Sequence, residues 1–200
     1  MKLRGLYAVT PELADSGLLL RKVAQALEGG ITVLQYRNKD RQNLDDALAL
    51  AALCRRAGTP FIVNDNLELA LECGADGVHL GRDDGNVAAA RSMLKGKLLG
   101  VSCYNSLEAA RAAVAAGADY VAFGSVFASS TKPAAVRAPH SLFADARGLG
   151  VPLVAIGGIT LENAPQLLGA GADALAVISD LFDAPDIAGR ARAYGKVFSS

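Results

Sequence analysis

The chain has 200 residues, enough for one domain with a full core, and 52% of them are apolar. Twenty basic and twenty acidic residues cancel, so no bulk charge draws in nucleic acid or an anionic membrane, and any anion site must be built locally. Three cysteines, Cys54, Cys73 and Cys103, are far apart and form no CxxC, which argues against a disulfide framework or a zinc site and fits a reducing, cytoplasmic compartment.

The opening MKLRGLYAVTPELADSG has too brief an apolar run for a signal peptide, and every later apolar run is broken before it reaches membrane-spanning length. The first expected strand is LYAVT (6–10). A helix–turn–strand unit then recurs. ECGADGVHLG (72–81), AAGADYVAFG (115–124) and GAGADALAVIS (169–179) each carry Gly-Ala-Asp between a helical stretch and a strand, and EGGITVLQYR (28–37) is a fourth, divergent copy. Glycine just past a helix end suits a left-handed C-cap, and the apolar, β-branched run after it suits a buried strand. These units give strands at 32–37, 77–80, 120–124 and 174–179; FIVND (61–65), LLGVSC (98–103) and LVAIGG (153–158) give the others. Helices fill the intervals: in NSLEAARAAVAAG, Asn105 or Ser106 is the N-cap, Glu108 lies in the first turn and Gly117 is the stop. Strands alternating with helices call for a parallel sheet. Short, even βα repeats favour closure over an open doubly wound sheet, which needs only about five such units. The expected architecture is α/β, a single-domain (β/α)8 TIM barrel over residues 1–200, with its active site at the C-terminal ends of the strands.

Polar residues at those ends are the candidates for chemistry. The second strand runs into QYRNK, where alternation puts Gln35, Arg37 and Lys39 on one face, either as a local anion site or as a solvated basic edge. The third ends in Asn64-Asp65, and the fourth leads into Arg82-Asp83-Asp84. Carboxylates from neighbouring strand ends suit a hard cation such as magnesium; Asp83 reads as a helix cap, whereas Asp65 and Asp84 share a location that points to metal. His79 reads as a satisfied core histidine, and Cys103, with no His partner after it, as an inert buried thiol. After the sixth strand, Ser129, Ser130 and Thr131 gather with the Lys132 ammonium, either to grip phosphate oxygens or as a polar surface loop. Gly157 and Gly158 after the seventh strand, with Ile178 and Ser179 after the eighth, stand where this barrel class binds phosphate; the alternative is that the glycines only ease tight turns.

QYRNK, NDN, GVHLGRDD, GVSC, SSTKP, AIGGIT and AVIS stand in an order and spacing that resembles the thiamine-phosphate synthase (thiamine-phosphate pyrophosphorylase) family, from LYAVTP to the last strand. The resemblance implies condensation of 4-amino-2-methyl-5-hydroxymethylpyrimidine diphosphate with 4-methyl-5-(2-phosphoethyl)thiazole, giving thiamine phosphate and pyrophosphate with Mg2+. It implies Gln35, Tyr36, Arg37, Asn38, Lys39, Asn64, Ser102 and Lys132 around the pyrimidine diphosphate. Ser129, Ser130, Thr131, Gly158, Ile178 and Ser179 would hold the thiazole phosphate, and Asp65 and Asp84 the metal. The implied route is dissociative, with Arg37, Lys39 and Lys132 stabilising the leaving charge and no general base required. Asn66 stands where many members have Arg, Arg82 where Gln is more usual, and Ser-Ser-Thr-Lys replaces Thr-x-Thr-Lys; no implied ligand is lost. The implied partners are these small molecules, with neither nucleic acid nor membrane, and a homodimer is common in the family. Two rivals remain: the thiazole tautomerase relatives of the same fold, which need proton transfer and no diphosphate site, and a non-catalytic phosphate-binding barrel.

Overall fold

Every Gly-Ala-Asp turn delivers the chain onto a strand, and in the computed structural model, which describes residues 3–39, 41–81, 86–128 and 136–199, those strands close a ring. The elements are β1 (Gly5–Val9), α1 (Ser16–Glu28), β2 (Val33–Tyr36), α2 (Leu44–Ala57), β3 (Phe61–Asn64), α3 (Leu67–Glu72), β4 (Gly77–Leu80), α4 (Val87–Leu94) and β5 (Leu98–Tyr104). They continue with α5 (Leu107–Ala115), β6 (Tyr120–Phe123), α6 (Ser141–Ala146), β7 (Leu153–Ile156), α7 (Ala164–Ala170), β8 (Ala174–Val177), α8 (Ser179–Phe182) and α9 (Ile187–Val197). All strand pairs are parallel, and β1 pairs with β8 to complete the closed barrel. Strands begin within one residue of the sequence expectation but several stop earlier. β7 ends at Ile156 because Gly157 and Gly158 turn into the left-handed region, with φ of 107° and 64°, a conformation glycine adopts without a Cβ penalty.

Side chains alternate across the wall. Tyr7, Val9, Val33, Ile62, Tyr120, Ala122, Val154, Ala174 and Ala176 fill the barrel interior, while Leu6, Ala8, Leu34, Tyr36, Val63, Val78 and Leu175 pack outward beneath the helices. Both sets are buried, so the strands read as near-continuous apolar runs.

The repeated aspartate has a structural job at the base of the barrel. Asp76 N donates to Phe61 O while its carboxylate accepts from Phe61 N, each at 2.8 Å. Asp119 grips Leu99 in the same two-handed way, and Asp173 grips Leu153. In the divergent copy Thr32 takes this place, and its N–H and hydroxyl both donate to Leu6 O. One residue type in one turn thus ties β4 to β3, β6 to β5 and β8 to β7.

Helix starts follow the local code. Asn43, Asn66, Asn86, Ser106 and Asp186 each accept a first-turn N–H through the side chain, a cap typically contributing about 1 kcal/mol. Ser106 is the cap of α5, and Gly117 follows that helix with φ 99°. Asn66 caps α3 through Leu69 N. The last helix, α9, packs on α1 and β1 with Ala191 and Tyr194 fully buried. Among the described residues no helix is long and apolar enough to cross a membrane.

Candidate active site

A cavity of about 550 Å3 opens where the strands end, within the range of small-molecule sites. Gln35, Arg37 and Lys39 climb one wall, from buried through half-buried to exposed. Arg37 is held at both ends. The Thr10 hydroxyl donates to Arg37 O and accepts from Arg37 N, both at 2.9 Å, and Glu12 Oε1 accepts from the guanidinium at 2.6 Å. Tyr36 and Asn38 take the alternate positions and do not line the cavity. The Tyr36 ring lies in the layer beneath the helices, where its hydroxyl accepts from Asn43 N, and Asn38 Oδ1 accepts from Arg41 N.

Asn64 and Asp65 form the next sector of the wall. Asp65 has φ 61°, its N–H donates to His79 O at 2.8 Å, and Asn64 Nδ2 donates to its carboxylate. Tyr104, at the end of β5 and also on the wall, has φ 54°. Left-handed backbone at a residue with a Cβ costs about 1–3 kcal/mol and collects at functional sites. Among the described residues no group of three or more His, Cys, Asp or Glu is arranged to hold a metal ion. Magnesium needs only one or two carboxylates when water and phosphate complete its shell, and Asp65 offers one.

The far sector is built from the β7 and β8 turns. Gly157, Gly158, Thr160, Ile178, Ser179 and Asp180 line it. A Cβ on Gly157 would lie 2.2 Å from Ser125 Oγ, and one on Gly158 would lie 2.2 Å from Ala128 O. Both glycines therefore let the chain after β6 pass close by, where Val126 N and Phe127 N donate to Ile156 O and Gly157 O. That segment leads directly into the Ser/Thr/Lys stretch. Ser129, Ser130, Thr131 and Lys132 themselves lie outside the described residues, as does Asp84. Asp180 was not singled out by sequence reasoning. Its carboxylate accepts from Arg190 at 3.0 Å through each oxygen and from the Tyr194 hydroxyl at 2.7 Å. Burial, and then that carboxylate, raises the Tyr194 phenol far above its usual range.

The floor is a chain of side-chain contacts. Gln35 Nε2 donates to Tyr7 Oη at 2.9 Å, the Tyr7 and Tyr120 hydroxyls lie 2.7 Å apart, Tyr120 Oη is 3.1 Å from His79 Nδ1, and His79 Nε2 is 2.9 Å from Ser102 Oγ. The His79 and Tyr120 rings stack at 5.6 Å, and Tyr7 meets Tyr120 edge-on at 6.0 Å. Burial raises both phenols, so they stay protonated. His79 is indeed a buried, hydrogen-bonded histidine, and together with Ser102 it also lines the cavity.

Cys103 is buried outside the cavity, its thiol 3.6 Å from Val101 O, and burial pushes its pKa up to about 12. Cys54 is likewise pushed up to about 12, by burial and then by Asp76. A thiol whose folded pKa is raised above its ordinary 9.0 stabilises the fold below that pH, and the contribution is lost as pH climbs towards 12. The melting temperature is therefore expected to hold up to pH 9 and fall above it. Cys103→Ser should keep kcat within about twofold, because no thiolate takes part; a dead, folded variant would contradict this placement.

The comparisons with known proteins agree with the geometry. A family model described as thiamine monophosphate synthase matches residues 6–181, from β1 into α8. A thiamine-phosphate synthase of Aromatoleum aromaticum is 58% identical over 204 residues, covering 100% of this chain and 98% of its own. One from an Azoarcus species is 56% identical, covering 99% and 98%. The solved thiamine phosphate pyrophosphorylase of Pyrococcus furiosus superposes with a TM-score of 0.87 at 33% identity, covering 99% of this chain and 96% of that one. A barrel with this rim, matched end to end at such identity, belongs to the thiamine monophosphate synthase family.

Proposed function

We propose that the chain condenses 4-amino-2-methyl-5-hydroxymethylpyrimidine diphosphate with 4-methyl-5-(2-phosphoethyl)thiazole to give thiamine phosphate and pyrophosphate. The observation that carries this reading is one cavity with two anion-suited sectors: the cations of Arg37 and Lys39 on the β2 side, and the glycine turn with Ile178 and Ser179 on the β7–β8 side. Two substrates that each carry phosphate need such a pair of sectors.

In this reading Gln35, Arg37, Lys39, Asn64 and Ser102, with Lys132, hold the pyrimidine diphosphate. Gly158, Ile178 and Ser179, with Ser129, Ser130 and Thr131, hold the thiazole phosphate. Tyr36 and Asn38 face away and support the β2 end rather than touch ligand. The C–O bond of the pyrimidine methylene breaks, its electron pair leaves with pyrophosphate, and the thiazole nitrogen lone pair forms the new C–N bond. That nitrogen carries no proton, so the protein's task is to stabilise the leaving charge and to align the two substrates. His79 has both ring nitrogens engaged with neighbours, in keeping with chemistry that asks for no strong base. Mg2+ held by Asp65 and Asp84 would supply further neutralisation of the diphosphate.

Incubation with both substrates, with and without Mg2+, should yield thiamine phosphate and pyrophosphate in equal amounts only when the metal is present. No product from either preparation would sink the proposal. Asp65→Ala is expected to lower turnover more than about tenfold and to flatten the Mg2+ titration; undiminished metal stimulation would remove Asp65 from the metal's shell.

A further inference from the structure

We infer that Tyr7, Tyr120 and His79 form a one-way hydrogen-bond relay at the cavity floor, which holds His79 as the Nε2–H tautomer and turns the Ser102 hydroxyl hydrogen towards bound ligand. A neutral imidazole has one N–H and a phenol one hydrogen, so once Tyr7 donates to Tyr120 and Tyr120 to Nδ1, the N–H must stand on Nε2. Gln35 Nε2 donates to Tyr7 Oη. Tyr7 then gives its hydrogen to Tyr120, Tyr120 gives its own to His79 Nδ1, and Nε2–H donates to Ser102 Oγ. The Ser102 hydrogen is left over, and Ser102 lines the cavity.

The alternatives place the proton on Nδ1 and direct the Ser102 hydrogen at Nε2, either with the whole chain reversed and the Gln35 amide turned over or with one phenol accepting from both neighbours. The cavity decides between them. Ser102 lines the same cavity as Arg37 and Lys39, and of these arrangements only the forward one offers a donor at Ser102 to the anionic oxygen those cations draw in. The forward direction also leaves Gln35 Oε1 as an acceptor at the other end. The relay is rigid: Tyr7 and Tyr120 are each 1% exposed, and the Tyr120 ring is fixed against both Tyr7 and His79. Tyr120, which does not line the cavity, is a positioning residue that acts through His79 and Ser102. Only the identity of the anion rests on the proposed condensation.

Nitrogen-15 NMR of the ligand-free protein reads the tautomer directly, with only His79 and His140 to assign. The expected spectrum has the bonded proton on His79 Nε2 and an unprotonated Nδ1; a proton on Nδ1 would overturn the relay. This reading needs no turnover, so it stands or falls apart from the proposed reaction. In kinetics, Tyr120→Phe should raise KM for the pyrimidine diphosphate about tenfold while leaving KM for the thiazole phosphate unchanged. His79→Gln, whose amide still reaches Ser102 as a donor, should retain most of the activity that His79→Leu loses. Equal loss in both substrates' KM, or wild-type kinetics in His79→Leu, would reduce the chain of contacts to packing.

Discussion

Arg37→Met is expected to lower kcat/KM for thiamine phosphate formation by about 10²–10³-fold, the usual loss when a preorganised donor to developing negative charge is removed. The methionine keeps most of the stem's packing and deletes the charge. Arg37 enters the cavity from a backbone that Thr10 clamps at both N–H and carbonyl, and its guanidinium is already drawn to Glu12. The side chain is 16% exposed and its partner 43%, so the ion pair itself contributes at most about 1 kcal/mol and the melting temperature should barely move. Arg37→Lys should not restore the rate, because an ammonium cannot offer two parallel N–H groups to a diphosphate. Steady-state kinetics with a melting curve on each variant separates the outcomes. Near-wild-type turnover in Arg37→Met would remove the β2 sector from the chemistry.

Gly100→Ala should damage stability most. A Cβ there would lie 2.0 Å from Tyr120 Cζ and 2.3 Å from its hydroxyl. The ring has nowhere to go, since Tyr7 and His79 flank it and Gly100 pairs with Tyr120 in register across β5 and β6. Overpacking of this kind costs about 3 kcal/mol, which for a chain of this size lowers the melting temperature by roughly 6–12 °C. Activity should fall as well, since the displaced ring is the middle link of the floor. Gly169→Ala supplies the contrast: nothing lies within 4 Å of its Cβ position, inside α7, and a gain of about 0.5–1 kcal/mol is expected from helix propensity. A Gly100→Ala protein that melts with the wild type would mean that the Tyr120 ring is free to swing aside.

Much of this was legible in the sequence for a physical reason. A buried parallel strand is a short apolar run, and the Gly-Ala-Asp turn announces three of them, with a divergent copy before a fourth, so strand starts could be read to within one residue. Gln35, Arg37 and Lys39 were legible as one face because the side-chain period of a strand is two. The same rule separates Tyr36 and Asn38 from them, although the family resemblance carries the whole QYRNK segment. The floor was not legible. Tyr7, His79 and Tyr120 come from β1, β4 and β6, separated by up to 113 residues, and no local pattern distinguishes a tyrosine pointing into a barrel for packing from one pointing in to bond. Thr10 opposite Arg37 and Arg190 opposite Asp180 were missed as well: the first pairing is set by β1 lying beside β2 and the second by the packing of α9 against α8, which no local pattern announces.

The three aspartate grips at the base of the barrel bear on how this chain can change. Asp76, Asp119 and Asp173 hold Phe61, Leu99 and Leu153 at the opposite end of the strands from the cavity. None of these six residues lines the cavity. The hoop that resists opening and the rim that meets substrate are thus separate inheritances, and substitutions can accumulate in the loops above without loosening the staves below. Native-state hydrogen exchange would see the division as amides at Phe61, Leu99 and Leu153 that open only with the whole barrel.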